Sequence, residues 1–206
     1  NSRFTLREFN LSNMSDILYN IVLVSILINK IINLHYFSMH NSTKNHILEI
    51  IEKDNCPFSE YEVYGFFTGL VLSSYKKNTV EDKIIKFLDL SHKSLLVADK
   101  LLDDIKSKIL ASSFEIYDDE DDDFDDKASS LSEWAYYFLI SFNGSHQQDE
   151  ISPEIQEILT IFDEVSQLKQ KYQLDEKENV TKESLNDIND FLVKSTLYLS
   201  NKNYDK

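Results

Sequence analysis

The chain has 206 residues, enough for one domain with a sizeable core or for two small ones. Its 36 acidic residues against 21 basic ones leave a net charge of −15, which argues against binding a nucleic-acid backbone, since that needs clustered Lys and Arg. A single cysteine, Cys56, excludes an intrachain disulfide and any multi-cysteine metal site, and points to a reducing, cytoplasmic setting.

Three glycines and two prolines are few for sheets joined by tight hairpins, so long helices joined by polar loops are favoured. Residues 1–38 carry a net +1 while 39–206 carry −16. The apolar run Ile21–Ile28 is interrupted by Ser25 and bounded by Asn20 and by Asn29 with Lys30. That is less than half of the roughly 20 apolar residues a membrane span needs. Glu8 and Asp16, with no small-residue cleavage site behind them, argue against a secretory signal. The expectation is a domain starting at Met39, preceded by an upstream-translated or non-native extension over 1–38. The alternative for that extension is a short amphipathic helix docking on the domain or on a membrane surface.

Downstream, Lys44–Asp54 offers Ile47, Leu48, Ile50 and Ile51 at helical spacing and meets a stop at Pro57. Ser59 and Glu62 form a capping-box pair that opens a helix over Glu60–Ser74, burying Val63, Phe66, Phe67, Leu70 and Val71. Gly65 and Gly69 share one face of it. Each costs about 1 kcal/mol relative to alanine, so close approach of another helix, from this chain or a second copy, is the reason to keep them. Thr79 with Asp82 is expected to start a third helix containing Ile84, Ile85, Phe87 and Leu88. A fourth, roughly Lys93–Phe114, repeats Leu95, Ala98, Leu101, Leu102, Ile105 and Ile109.

An acidic loop follows, with eight carboxylates in the nine residues Asp118–Asp126. The stretch Lys127–Gly144 then carries the only tryptophan, and Ala128, Leu131, Trp134, Ala135, Phe138 and Leu139 make one continuous apolar stripe. On its far side, Tyr136 and Tyr137 line either an interface, such as one between two copies, or a second buried face. Ser152 before Pro153 reads as an N-cap with proline at the first helical position, followed by Ile155, Ile158, Leu159, Phe162, Val165 and Leu168. A charged loop, Asp175–Asn179, precedes a last helix capped by Thr181 with Leu185, Ile188, Phe191, Leu192 and Tyr198. No repeat and no sustained strand-like alternation occurs. The fold class is all-α, a single domain of six or seven helices.

Three segments together resemble the YecA/YgfB family of bacterial proteins. YEVYGFFTGLVLSS, Tyr61–Ser74, looks like the family's early helix with Gly65, Gly69 and Leu70 at its core. FEIYDDEDDDFDDKASSLSEWAYYFLISFNG, Phe114–Gly144, is similar to its acidic loop, a basic residue (here Lys127, usually Arg), then Leu131, Trp134, Phe138 and Leu139 running to a glycine turn at Gly144. EISPEIQEILTIFDEVSQL, Glu150–Leu168, is a weaker match. The family's Leu-Pro before the acidic loop is missing, and Ser141 stands where a glycine is expected. The likeness extends over about residues 45–200. Without the C-terminal cysteine-rich metal-binding tail of longer members, the chain resembles the short, YgfB-like branch. The resemblance implies an all-helical cytoplasmic accessory or regulatory protein, without catalytic activity or cofactor, acting through protein contacts.

The acidic loop is the candidate site. As a contact surface for a basic protein partner it offers Asp121, Asp122, Asp123, Asp125 and Asp126. As a Ca²⁺ or Mg²⁺ site, the alternative function, it offers Asp119, Asp121, Asp123 and Asp125 as hard oxygen ligands. No start within the loop places glycine sixth and Glu twelfth as an EF-hand requires, so a solvated, self-repelling loop is the simpler reading. Catalysis finds little support. The five histidines form no metal-binding pair, Cys56 has no histidine partner legible in the sequence, and three glycines cannot build a phosphate loop or a nucleophile elbow.

Overall fold

The computed structural model describes residues 42–73, 75, 77–91, 94–116, 124–143, 151–168 and 182–204, and among them the architecture is all-α. The helices are α1 (42–54), α2 (Glu60–Leu72), α3 (Lys77–Leu88), α4 (Leu95–Leu110), α5 (Phe124–Asn143), α6 (Pro153–Ser166) and α7 (Lys182–Tyr204). They belong to one compact unit, 41–206. The extension expected over 1–38 lies outside the described residues, as do Thr181 and the loop 175–179.

Two helix starts follow from local chemistry. The Ser59 hydroxyl accepts from the Glu62 N–H at 3.2 Å while the Glu62 carboxylate accepts from the Ser59 N–H at 2.6 Å, the reciprocal pairing of a capping box. Ser152 accepts from the Ile155 N–H at 3.4 Å, with Pro153 at the first helical position. Thr79 and Asp82, expected to start the third helix, instead lie inside α3, which begins at Lys77. Both are exposed, so the pair belongs to a solvated helix face. Nor does the acidic stretch stay a loop to its end. Asp125 and Asp126 form the first turn of α5, where their charge favours the unpaired N–H groups of the helix terminus.

Three helix ends are made without glycine. Asn55, Asp89 and Ser112 follow α1, α3 and α4 at φ 46°, 52° and 53°. After α1 the Cys56 N–H donates to the Ile51 carbonyl at 3.0 Å, and after α4 the Ser113 N–H donates to Lys108 at 2.9 Å, the six-to-one bond of a Schellman turn. That turn stops α4 at Leu110, short of the expected Phe114, and returns Phe114 and Ile116 to the core.

α2 is the hub, with every residue from Val63 to Leu70 buried. Its most extensive neighbour is α5, which also packs on α6 and α7. The whole predicted stripe of α5 is buried. Trp134 stacks on Phe138 at 5.2 Å, Phe138 stacks on Phe142 at 5.4 Å, and Phe162 of α6 meets Trp134 and Phe138 at 5.9 and 5.0 Å. On the other side, Phe87 of α3 stacks between Phe66 and Phe58 at 4.3 and 5.2 Å. α7 closes the core with Leu185, Leu192 and Leu199, one face at seven-residue steps.

Candidate functional site

The two glycines of α2 decide how close α5 comes. A Cβ at Gly65 would lie 2.9 Å from the Trp134 carbonyl carbon, with the carbonyl oxygen closer still. One at Gly69 would lie 2.5 Å from the Phe138 carbonyl oxygen and inside the contact radius of the Ser141 hydroxyl. The glycine face is thus filled by this chain's own α5 backbone. Ser141, where the family pattern expects glycine, fits there by turning its hydroxyl back to the Phe138 and Tyr137 carbonyls at 3.1 and 3.2 Å.

Leu70, Lys127, Leu131, Trp134, Phe138 and Leu139 are all buried in or beside this seam. The Lys127 ammonium donates to the Asn186 side-chain carbonyl, tying the start of α5 to α7. Gly144, Asp119, Asp121, Asp122 and Asp123 lie outside the described residues. Asp125 and Asp126 are exposed on the first turn of α5. The motif residues that the structure describes therefore converge on packing, and the surface chemistry lies elsewhere.

One such surface is the outer stripe of α5. Asp125 and Tyr136, eleven residues apart, point within about 20° of each other at helical spacing. Ser129 and Ile140 continue the stripe; Tyr136 is 51% exposed and Ile140 38%. Tyr137 behaves differently from its neighbour. It is half-buried, edge-on to Phe58 and Phe87 at 5.5 and 5.7 Å. Burial, then the carboxylate of Glu62 beside it, push its phenol well above the usual tyrosine range. Of the two readings for this pair, Tyr136 takes the open face and Tyr137 the packed one. Nearby, the Ser59 hydroxyl donates to Glu133 at 2.6 Å, clasping the start of α2 to α5.

A second cluster was not legible in the sequence. Asp104 of α4 accepts from the Ser42 hydroxyl at 2.8 Å and from His46 Nδ1 at 2.9 Å, both on α1. A Ser-His-Asp relay needs the serine on the imidazole's other nitrogen. Here both donors share one carboxylate oxygen, so the arrangement joins two helices and activates no nucleophile. The i, i+4 spacing of Ser42 and His46 was visible; their partner, 58 residues beyond His46, was not. Cys56 is buried, and burial pushes its thiol up, away from the reactive thiolate. Among the described residues no group of three or more His, Cys, Asp or Glu is placed to hold a metal ion. No described helix is long and apolar enough to cross a membrane.

Two grooves lie among the described residues. One, of about 380 Å³, runs between α6 and α7. The other, of about 350 Å³, lies among α2, α3 and α4, with Leu70, Val80 and Leu102 at its floor and Glu81, Asp103 and Lys106 around it.

No family model matches the chain, and no curated protein matches it. The fold has a solved counterpart. The chain is similar to the lpg0076 protein from Legionella pneumophila, with a TM-score of 0.58 over 76% of this chain and 93% of that one. At 19% identity the likeness is one of fold.

Proposed function

We propose that this chain is a non-catalytic, cytoplasmic accessory or regulatory protein of the YecA/YgfB kind that acts by binding another protein. The observation that supports this reading is the outer stripe of α5. A helix whose inner face is wholly core carries carboxylates at its exposed first turn and, on the same side, the exposed apolar pair Tyr136 and Ile140. An apolar patch flanked by charge of one sign suits a protein partner with a basic rim. The non-catalytic part is supported by the burial of Cys56 and by the binding of Ser42 and His46 to one oxygen of Asp104. No observation favours the cation-binding alternative.

The test uses the full chain as bait in native lysate, with bound proteins identified by mass spectrometry. One protein recovered in stoichiometric amount, and lost from the Asp125→Asn/Asp126→Asn and Tyr136→Ala variants, is the expected result. Equal recovery by the variants removes the α5 stripe from the interface. No retained protein at all ends the adaptor reading.

A further inference from the structure

We infer that the groove between α6 and α7 is a docking site for a basic amphipathic helix of a partner protein. The inference rests on the protein-binding reading above and adds a second surface to it. Residues 154–161 of α6 and 191–198 of α7 line the groove, and Phe162 meets Phe191 edge-on at 6.4 Å where the two helices pack. Leu159 and Phe162 of α6, and Leu192 and Leu199 of α7, are buried on faces turned away from the groove at helical spacing, while Val165 continues the groove-lining stripe of α6 and is buried. What lines the groove is a second apolar set, Ile158, Ile161, Phe191 and Tyr198, none of them fully covered by the core. Of the polar residues beside it, Ser195 is buried while Glu154, Glu157 and Lys194 are exposed at its edges. Glu154 to Ile161 spans about 10 Å along α6, the length of two helical turns, which matches anchors at i, i+3 or i+4, and i+7 of a docked helix.

The rim selects the charge of the occupant. Glu154 and Glu157 are exposed along the α6 edge, and Glu164, seven residues after Glu157, continues that acidic face. On the α7 edge, Lys194 is bridged by Asp190 at 3.1 Å and Lys202 lies over the Tyr198 ring at 5.5 Å, so this chain already engages its own cations there. A docked helix therefore meets carboxylates on one side and lysines on the other, Lys194 paired with Asp190 and Lys202 still charged, which places its Lys and Arg over α6. A second copy of a chain with net charge −15 is a poor match for that rim, and so is a fatty acid with its own carboxylate.

Two labelled peptides with the same leucine ridge at i, i+3, i+4 and i+7 test this on the full chain by fluorescence anisotropy, one flanked by lysine and the other by glutamate. The lysine peptide is expected to bind at least about tenfold more tightly than the glutamate peptide. Ile161→Glu should weaken it about tenfold or more by placing charge among the anchors. Glu154→Lys/Glu157→Lys alters only exposed side chains, so it reports on the rim with the fold intact. It should reverse the preference between the peptides. Equal affinity for both peptides, or binding untouched by Ile161→Glu, overturns the assignment. So does a dimer seen by sedimentation that Ile161→Glu converts to monomer, because the groove then belongs to a second copy. Failure in the peptide assay by a chain that still retains its lysate partner overturns the groove alone. A chain that retains neither ends the protein-binding reading as well.

Discussion

At Gly65 and Gly69 the usual arithmetic of helix glycines changes sign. In an exposed helix, glycine to alanine gains about 1 kcal/mol. Here the added methyl meets the backbone of Trp134 or Phe138, which cannot rotate away as a side-chain tip would. Gly65→Ala and Gly69→Ala should each cost about 1–3 kcal/mol as α2 and α5 are forced apart, read from urea midpoints at unchanged slope. Trimming the neighbouring hydroxyl with Ser141→Ala should not rescue Gly69→Ala, because the Phe138 carbonyl remains 2.5 Å from the new methyl. A neutral or stabilising result would mean that the seam opens freely. Next to Gly65, Tyr64 makes a pH prediction at the same scale. It is buried, donates to the Glu115 carbonyl at 2.7 Å, and has its phenol pushed up by that burial. Its folded pKa exceeds the unfolded value of about 10. The stability linked to it is therefore complete below that pH and falls as pH rises beyond it, by about 1.4 kcal/mol per unit. Urea unfolding on both sides of that pH should show this slope in the natural chain and a shallower one in Tyr64→Phe. At neutral pH the variant loses only about 1 kcal/mol for the missing hydrogen bond.

Helix starts, stops and docking belong to the next scale, and they differ in how far sequence reveals them. The Ser59–Glu62 and Ser152–Pro153 starts were legible because a cap is a local event completed within four residues. The inner faces of α2 and α5 were legible because apolar spacing repeats over several turns. Thr79 misled because Thr-x-x-Asp is equally at home on a solvated helix surface. The stop at Ser112 was hidden, since a left-handed serine carries none of the signal a glycine would. The Asp104 clasp and the α6–α7 groove depend on residues that only the tertiary fold brings together. For the clasp, the consequence is that Asp104→Ala should loosen α1, seen as faster amide exchange over 42–54 before α2 is affected. For the stop, Ser112 pays a left-handed penalty of about 1–2 kcal/mol that glycine avoids. Ser112→Gly should therefore stabilise the protein by about 1 kcal/mol. Asn55→Gly should gain less, because asparagine already tolerates that region. Equal gains at the two sites would show that the left-handed geometry is not what limits them.

Across the whole molecule, the excess of 36 acidic over 21 basic residues acts against the compact state. The carboxylates cluster in sequence at 118–126 and recur on the outer faces of α6 and α7 as Glu154, Glu157, Asp187 and Asp190. Folding draws such groups closer together than an expanded chain holds them. Ion pairs among the described residues include Lys194 with Asp190, Lys53 with Glu49 and Lys44 with Glu60, all with side chains open to solvent, and exposed pairs contribute little. Screening should then stabilise the fold. Because the Debye length falls from about 30 Å at 0.01 M to about 8 Å at 0.15 M salt, the melting temperature should rise over that range. Relief of about 1 kcal/mol corresponds to about 2–4 °C for a chain of this size. Potassium chloride and magnesium chloride at matched ionic strength separate screening from binding. Diffuse repulsion responds to ionic strength alike in both salts, whereas a built cation site adds a further rise with magnesium that saturates and disappears on neutralising Asp121, Asp123 and Asp125. The expected outcome is two coincident curves. A saturating excess with magnesium, lost in the neutralised variant, would make the acidic stretch a cation-binding element.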